Sequence, residues 1–455
     1  MPGTKTSAKP LQILKTTEVG FEQAWEELCC RLLSETEPAA VKRVQAQVED
    51  VCEHGDTPLY ALLESLCEHV PEQLELTPEE WEAGCEAVDV ADRAALGKAA
   101  MRIREFHRKR IPGSWEVREE GGGYMGQRVR PLSRVGIFAS ADAPLDPSQV
   151  IMYATPASAV EVPEILLAVA PDERGTIRPE ILMAARVAGV HRVFRMTGAG
   201  AMAAFAFGTP EVPRVERLVG PGGLDVDVAK RQLGHEVGIL ACPAPRELCI
   251  VADKTAKPTW LAMDLLGQAQ VGDTAHALLI THCKSLPARV QDQVSRQLTG
   301  LSGVRKLKQM LSARSAIVVT RNLKESLELA DRYAPEHLVA AVDKPEDLVR
   351  GVQNAGVILM GHYTPAAVGD YLAGPGAVLP SGGSARFSSP LCVEDFLKRT
   401  NFVKFEPNKL RELGAEAIRL AEVDGLSARG ASVELRLKRI RRARREREVA
   451  REAEL

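Results

Sequence analysis

From Val135 onward the chain alternates short apolar strands with helices, and that alternation leaves it few folds to choose from. Val135-Gly136-Ile137-Phe138-Ala139, then residues 164–170, 191–196 and 216–220, read as buried strands. Helical stretches separate them: 148–160 despite Pro156, a helix opened by Pro179 and closed by Gly189, the small-residue run 199–207, and 226–233. Strands joined by helices of this length make right-handed βαβ units and a parallel sheet. A second series follows, with strands at 248–252, 277–281, 316–320, 338–342 and 357–360 and helices around 260–269, 288–298, 323–333 and 345–354. The expected fold class is α/β: two doubly wound parallel-sheet domains around a ligand cleft.

The flanks differ. Residues 17–110 are patterned as helices, with Phe21, Trp25, Leu28 and Leu32 at helical spacing, and Leu59, Leu62, Leu63 and Leu66 likewise. Thr77-Pro78-Glu79-Glu80 is a helix start, with Pro in the first turn and acids after it. Gly121-Gly122-Gly123 breaks the pattern. Beyond residue 390 the chain reads as helical again.

A net charge of −3 gives the whole chain no attraction to nucleic acid or to an anionic membrane. No apolar run approaches the ~18 residues of a membrane span. The opening Met1-Pro2-Gly3-Thr4-Lys5 has no apolar core of a signal peptide. Nine cysteines, an odd count with no C-x-x-C pair, fit reduced thiols and a cytoplasmic location. The one concentrated charge is the basic run 436–447. Glu446, Glu448, Glu452 and Glu454 dilute it and no aromatic is interleaved for base stacking, so the expectation is a solvated terminal helix without a nucleic-acid partner.

Two motifs carry chemistry. In Tyr333-Ala334-Pro335-Glu336-His337-Leu338 a carboxylate and an imidazole stand at a strand entrance, a usable general-base pair. Thr197-Gly198-Ala199-Gly200-Ala201-Met202-Ala203 fits G-x-G-x-x-A between a strand and a helix. No acid follows about twenty residues on, where Leu218 stands, so a nucleotide site and close helix–sheet packing both remain open.

Several spaced blocks together resemble the histidinol dehydrogenase family: Leu218-Val219-Gly220-Pro221-Gly222-Gly223, Asp264-Leu265-Leu266-Gly267-Gln268-Ala269, Ala334-Pro335-Glu336-His337-Leu338 and Val368-Gly369-Asp370-Tyr371-Leu372-Ala373-Gly374-Pro375. The resemblance runs from about residue 15 to about 440. It implies a zinc-dependent homodimer that oxidises L-histidinol to L-histidine with two NAD⁺. By the same resemblance Glu336 activates water, His337 is the general base, and Gln268 and Asp370 ligate zinc. The implied domains are an N-terminal helical arm (1–32), a first, discontinuous α/β domain (33–134 plus 246–390), a second, nucleotide-domain-like one (135–245), and a C-terminal helical dimerisation arm with the basic tail (391–455).

The departures decide the functional expectation. Val271 stands where the family has a zinc-ligating His, and Arg429 where a second one crosses the dimer, with Asp424 just upstream. Neither Val nor Arg offers a lone pair. Arg246 replaces a substrate-contacting Ser, and Phe138, Gly200 and Gly223 replace the Tyr, Gln and Asn that contact NAD in the family. The turn after the first strand of that domain is Ser140-Ala141-Asp142-Ala143. The resulting expectation is a degenerate, zinc-free binding or structural homologue. It uses no cofactor, forms a homodimer, spans no membrane and has a pocket at Arg246 suited to a small anion. Arg429 reaching Asp370 is expected to substitute for the metal. The alternative is an active dehydrogenase, with NAD and zinc if the family activity is retained through another donor such as His276, or on another substrate through Glu336 and His337.

Overall fold

The computed structural model describes residues 11–31, 38–140, 145–240 and 246–453. Its strands are β1 (Gln12–Lys15), β2 (Trp115–Arg118), β3 (Gly123–Pro131), β4 (Arg134–Phe138), β5 (Glu164–Val169), β6 (Arg192–Arg195), β7 (Arg217–Val219), β8 (Gly238–Ile239), β9 (Glu247–Ala252), β10 (His276–Thr281), β11 (Ser315–Val319), β12 (His337–Ala341), β13 (Val357–Met360) and β14 (Leu397–Phe405). The chain divides into two compact units, Met1–Arg110 with Leu132–Phe396, and Ile111–Pro131 with Leu397–Leu455.

The first unit holds two parallel sheets. One has the order β1-β11-β10-β9-β12-β13, the other β6-β5-β4-β7-β8. In each the chain runs outward for three strands and then returns to the far side of the first, which places a topological switch point between β9 and β12 and another between β4 and β7. Every residue of β9, β10 and β12 is buried. That follows from helices covering both faces, and it explains why these strands read as continuous apolar runs rather than alternating ones.

The helices before residue 110 pack differently from the expected grouping of 33–134 with 246–390. Ala40, Val44, Val51, Leu59, Leu63 and Leu74 share one core with Phe138, Phe194 and Phe205 of the 135–245 region. The cause is the helix Gly198–Phe207: its small side chains admit the helices Pro38–His54 and Thr57–Leu66 closely, and a Cβ on Gly200 would lie 3.4 Å from Val51 and from Leu59. Gly200 thus lies within ordinary contact distance of both helices. The lobe of β9–β13 recruits the N-terminus instead. Strand β1 pairs in parallel with β11, and Trp25 of the helix Phe21–Cys29 is fully buried beside Tyr333. Residues 12–29 are thus an edge strand and a covering helix of that lobe, rather than a separate arm.

The second unit corrects the reading of the chain beyond residue 390 as helical. Strand β14 comes first and pairs antiparallel with β3 along its whole length, and β2 lies on the other side of β3. Gly121, Gly122 and Gly123 all take positive φ in the turn from β2 to β3. The helices Pro407–Val423 and Ser427–Ala453 follow, with Leu437 seated on Gly414 so closely that a Cβ there would fall 2.8 Å from the leucine methyl carbon.

Candidate active-site cleft

Strands β9 and β12 are parallel neighbours in a register that sets Leu248 opposite His337. Their amino ends therefore bring Arg246 and Glu247 to Glu336 and His337. The approach to β12 is tightly built. The helix Leu323–Tyr333 ends on Ala334, which takes the left-handed conformation (φ 50) and turns the chain into Pro335. A non-glycine residue held there costs about 1 kcal/mol. The Gly356 N–H donates to the Pro335 carbonyl at 2.9 Å, and a Cβ on Gly356 would stand 2.6 Å from the Glu336 carbonyl oxygen.

Glu336 is 2% exposed and both its carboxylate oxygens are engaged. Oε1 accepts from Arg246 Nη1 at 3.0 Å, and Oε2 accepts from the Glu247 N–H at 2.8 Å. Arg246 also donates to the Ala377 carbonyl at 3.4 Å. Glu336 holds the guanidinium in its charged form, raising its pKa beyond the usual value. His337 Nε2 lies 2.9 Å from Asp370 Oδ1. The angles of a hydrogen bond are not met, so this is a close polar contact that becomes an ion pair when the imidazole is protonated. Burial alone would lower the imidazole pKa, but Asp370 and Glu336 beside it raise it above the ordinary value. Two basic and two acidic side chains thus close on one another: Arg246 with Glu336, and His337 with Asp370.

A second buried layer lies behind this one. Glu247 accepts from the Gly382 N–H and from the Glu336 N–H, and Arg31 Nη1 stands 2.8 Å from its Oε1. Burial lifts the Glu247 pKa to about 7 despite Arg31. Neither Glu247 nor Arg31 was singled out from the sequence. The only signal for Glu247 was its place after Arg246 at a strand entrance, and Arg31 belongs by sequence to a distant segment.

Arg246, Glu336 and Asp370 face a cavity of about 590 Å³, and His337, Glu247 and Arg31 lie behind its wall. Arg246, Glu336, Asp370 and Val271 line one wall, and Asp146 and Tyr153 the other. The cleft joins the amino ends of β9 and β12 to the loops leaving the carboxyl ends of β4 and β7, so one lobe offers its switch point from below and the other from above.

The donors present do not fit a zinc ion. Val271 faces the cavity with 49% of its surface exposed and has nothing to donate. Gln268 is buried on the helix Pro258–Gln270 and is not part of the cavity lining. Asp370 is in contact with His337. His276 begins β10, is buried, and has its pKa lowered to about 4 by burial first of all; it does not line the cavity. Among the described residues no three His, Cys, Asp or Glu side chains converge as a metal site would require. Gln270 lines the cavity beside Val271.

The positions that the resemblance gives to the cofactor offer backbone only. Phe138 is buried at the end of β4, Gly200 lies under the helices of residues 38–66, and Gly223 precedes the helix Leu224–Leu233. Residues 141–143 of the expected turn, and Ala244 and Pro245 before Arg246, lie outside the described residues. Asp424 and Arg429 belong to the second unit, where both are exposed.

The comparisons agree with this architecture. The histidinol dehydrogenase family profile matches residues 33–437. A histidinol dehydrogenase from Syntrophotalea carbinolica is 41% identical over 431 residues, covering 94% of this chain and 99% of that protein. One from Geobacter sulfurreducens is 42% identical over 365 residues, 80% of this chain and 85% of the relative. The crystal structure of histidinol dehydrogenase from Elizabethkingia anophelis superposes with a TM-score of 0.88 at 27% identity, covering 95% and 99% of the two chains. With its two parallel sheets, its Glu336–His337 pair at the switch point, and a match along nearly its whole length, the chain belongs to the histidinol dehydrogenase family.

Proposed function

We propose that this family member does not carry out zinc- and NAD-dependent oxidation of L-histidinol, and that it acts as a binding or structural homologue. One observation carries the reading: the acid–base groups that the cleft retains are spent on one another. Glu336 is clamped by Arg246 and by a backbone N–H, and Asp370 sits against His337. A carboxylate held by a guanidinium and a backbone N–H, or set against an imidazole, is less free to turn toward a water or a metal ion. The remaining wall, Val271 and Gln270, supplies no imidazole.

The reading includes a homodimer in the cytoplasm, in which the C-terminal arm would be exchanged and a second copy's Asp424 and Arg429 would reach the cleft mouth. In this reading His337 stands against Asp370, where Arg429 was expected, and Arg246 pairs with Glu336. A small anionic ligand would have to compete with Glu336 for Arg246. An acid–base reaction on another substrate remains the second reading, favoured by the raised His337 pKa beside Asp370.

The test is NADH formation from L-histidinol and NAD⁺, with and without added zinc. The expected result is no turnover above the protein-free blank. Turnover near the enzyme median of about 10 s⁻¹ would place the chain among the active members and end this reading.

A further inference from the structure

The family match ends at residue 437, but the last helix continues to Ala453. Leu437 is its last buried residue. Beyond it the helix is exposed apart from the half-buried Ile440 and Ala443, and only Val449 presents a large apolar side chain. Sixteen further residues make a rod of roughly 24 Å.

Charge on this rod is segregated from the rest of the chain. Residues 436–453 contain nine Lys or Arg against three Glu, a net +6, so the remaining residues carry −9 of the overall −3. The whole-chain charge therefore conceals the tail. The glutamates do not neutralise it evenly. Glu446 is taken by Arg442 at 2.8 Å and Glu448 by Arg444 at 2.8 Å. Arg441, Arg445, Arg447 and Arg451 have no acidic partner among the described residues.

We propose that this helical extension is a docking surface for duplex nucleic acid, gripped through its phosphates without base readout. A membrane surface is the poorer match, because a helix that inserts at an interface needs an apolar face and this one has a single valine. Single strands are also a poorer match, since no aromatic is present for base stacking. A length of duplex of about 24 Å carries about fourteen phosphates on its two strands, of which only the part turned toward the rod needs to supply partners for the four guanidinium groups. The sequence expectation set nucleic acid aside because glutamates dilute the run; the i,i+4 pairing shows that the dilution spares these four arginines.

The proposal is tested on the full chain by fluorescence anisotropy with a labelled 20-bp duplex of mixed sequence across a KCl series. The variant carries Arg441→Gln, Arg445→Gln, Arg447→Gln and Arg451→Gln, and a companion carries Lys at the same four positions. The expected results are duplex binding by the native chain, at least about tenfold weaker binding by the Gln variant near 50 mM KCl, and a log–log salt slope smaller by about 3–4. The Lys variant keeps the native slope. Equal duplex binding by the native and Gln chains overturns the proposal. So does binding to phosphatidylglycerol vesicles that matches the duplex in strength, or a Gln substitution that changes only the state of self-association.

Discussion

Arg246→Ser should destabilise the protein by about 2–4 kcal/mol, and adding Glu336→Gln should recover at least half of that loss. The argument is the asymmetry of buried ion pairs. Removing one partner of a buried pair leaves an uncompensated charge and costs roughly 3–5 kcal/mol, whereas removing both is close to neutral. Glu336 is 2% exposed and lies at the inner end of the pair, while the Arg246 side chain keeps 31% of its surface, which places the estimate below the fully buried range. The Glu247 N–H still donates to Glu336 in the single variant and offsets only part of the loss. By thermal melting the single variant should fall by roughly 5–10 °C. Additive losses in the double variant would show that Arg246 and Glu336 are not coupled.

The second large effect is a pH dependence at His337. Asp370 and Glu336 raise the folded-state pKa of this imidazole above its unfolded value, against the opposing effect of burial. A group raised in this way contributes stability that is fully present below the unfolded pKa and is lost as pH rises through the folded one. Asp370→Asn removes a carboxylate 2.9 Å from the ring and should therefore cost about 1–2 kcal/mol at pH 5.5 and far less at pH 9. Urea midpoints at the two pH values measure it. A loss equal at both would mean that Asp370 supports the fold through packing and not through the charged imidazole. The same titration bears on the second functional reading, in which a raised His337 pKa favours the imidazole as a proton donor over its use as a base.

How much of this was legible can be argued from particular residues. The strands β4 to β7 and β9 to β13 lay within a residue or two of their expected places, because buried parallel strands are short unbroken apolar runs between helices and depend on little else. Glu336 and His337 were legible as a pair because they are neighbours in the chain. Their partners were not. Arg246 and Glu336 meet only because β9 and β12 adjoin across the switch point, a fact of topology that no local pattern contains. The helices of residues 38–108 showed apolar stripes, but a stripe states that it must be buried and not against what; the small side chains of residues 199–206 decided that. Strand β14 was missed for a similar reason. Leu397–Phe405 is mostly exposed, and its hydrogen-bond partner β3 comes from the far side of both parallel sheets in the sequence.

The substitutions Val271 and Arg429 were legible one residue at a time, and on the zinc-free reading proposed above the pairing of side chains within the cleft takes the metal's place. Arg246 lies 3.0 Å from Glu336, and His337 lies 2.9 Å from Asp370. Each of the two carboxylates then has a basic side chain of its own.

The most direct test of that account is the metal content of the purified full-length protein after incubation with zinc and removal of the excess. The account predicts a zinc-to-chain ratio close to zero, unchanged whether or not zinc was supplied. Retention of about one zinc per chain would contradict it, because a tightly held ion needs three or four donors and among the described residues no three His, Cys, Asp or Glu side chains converge.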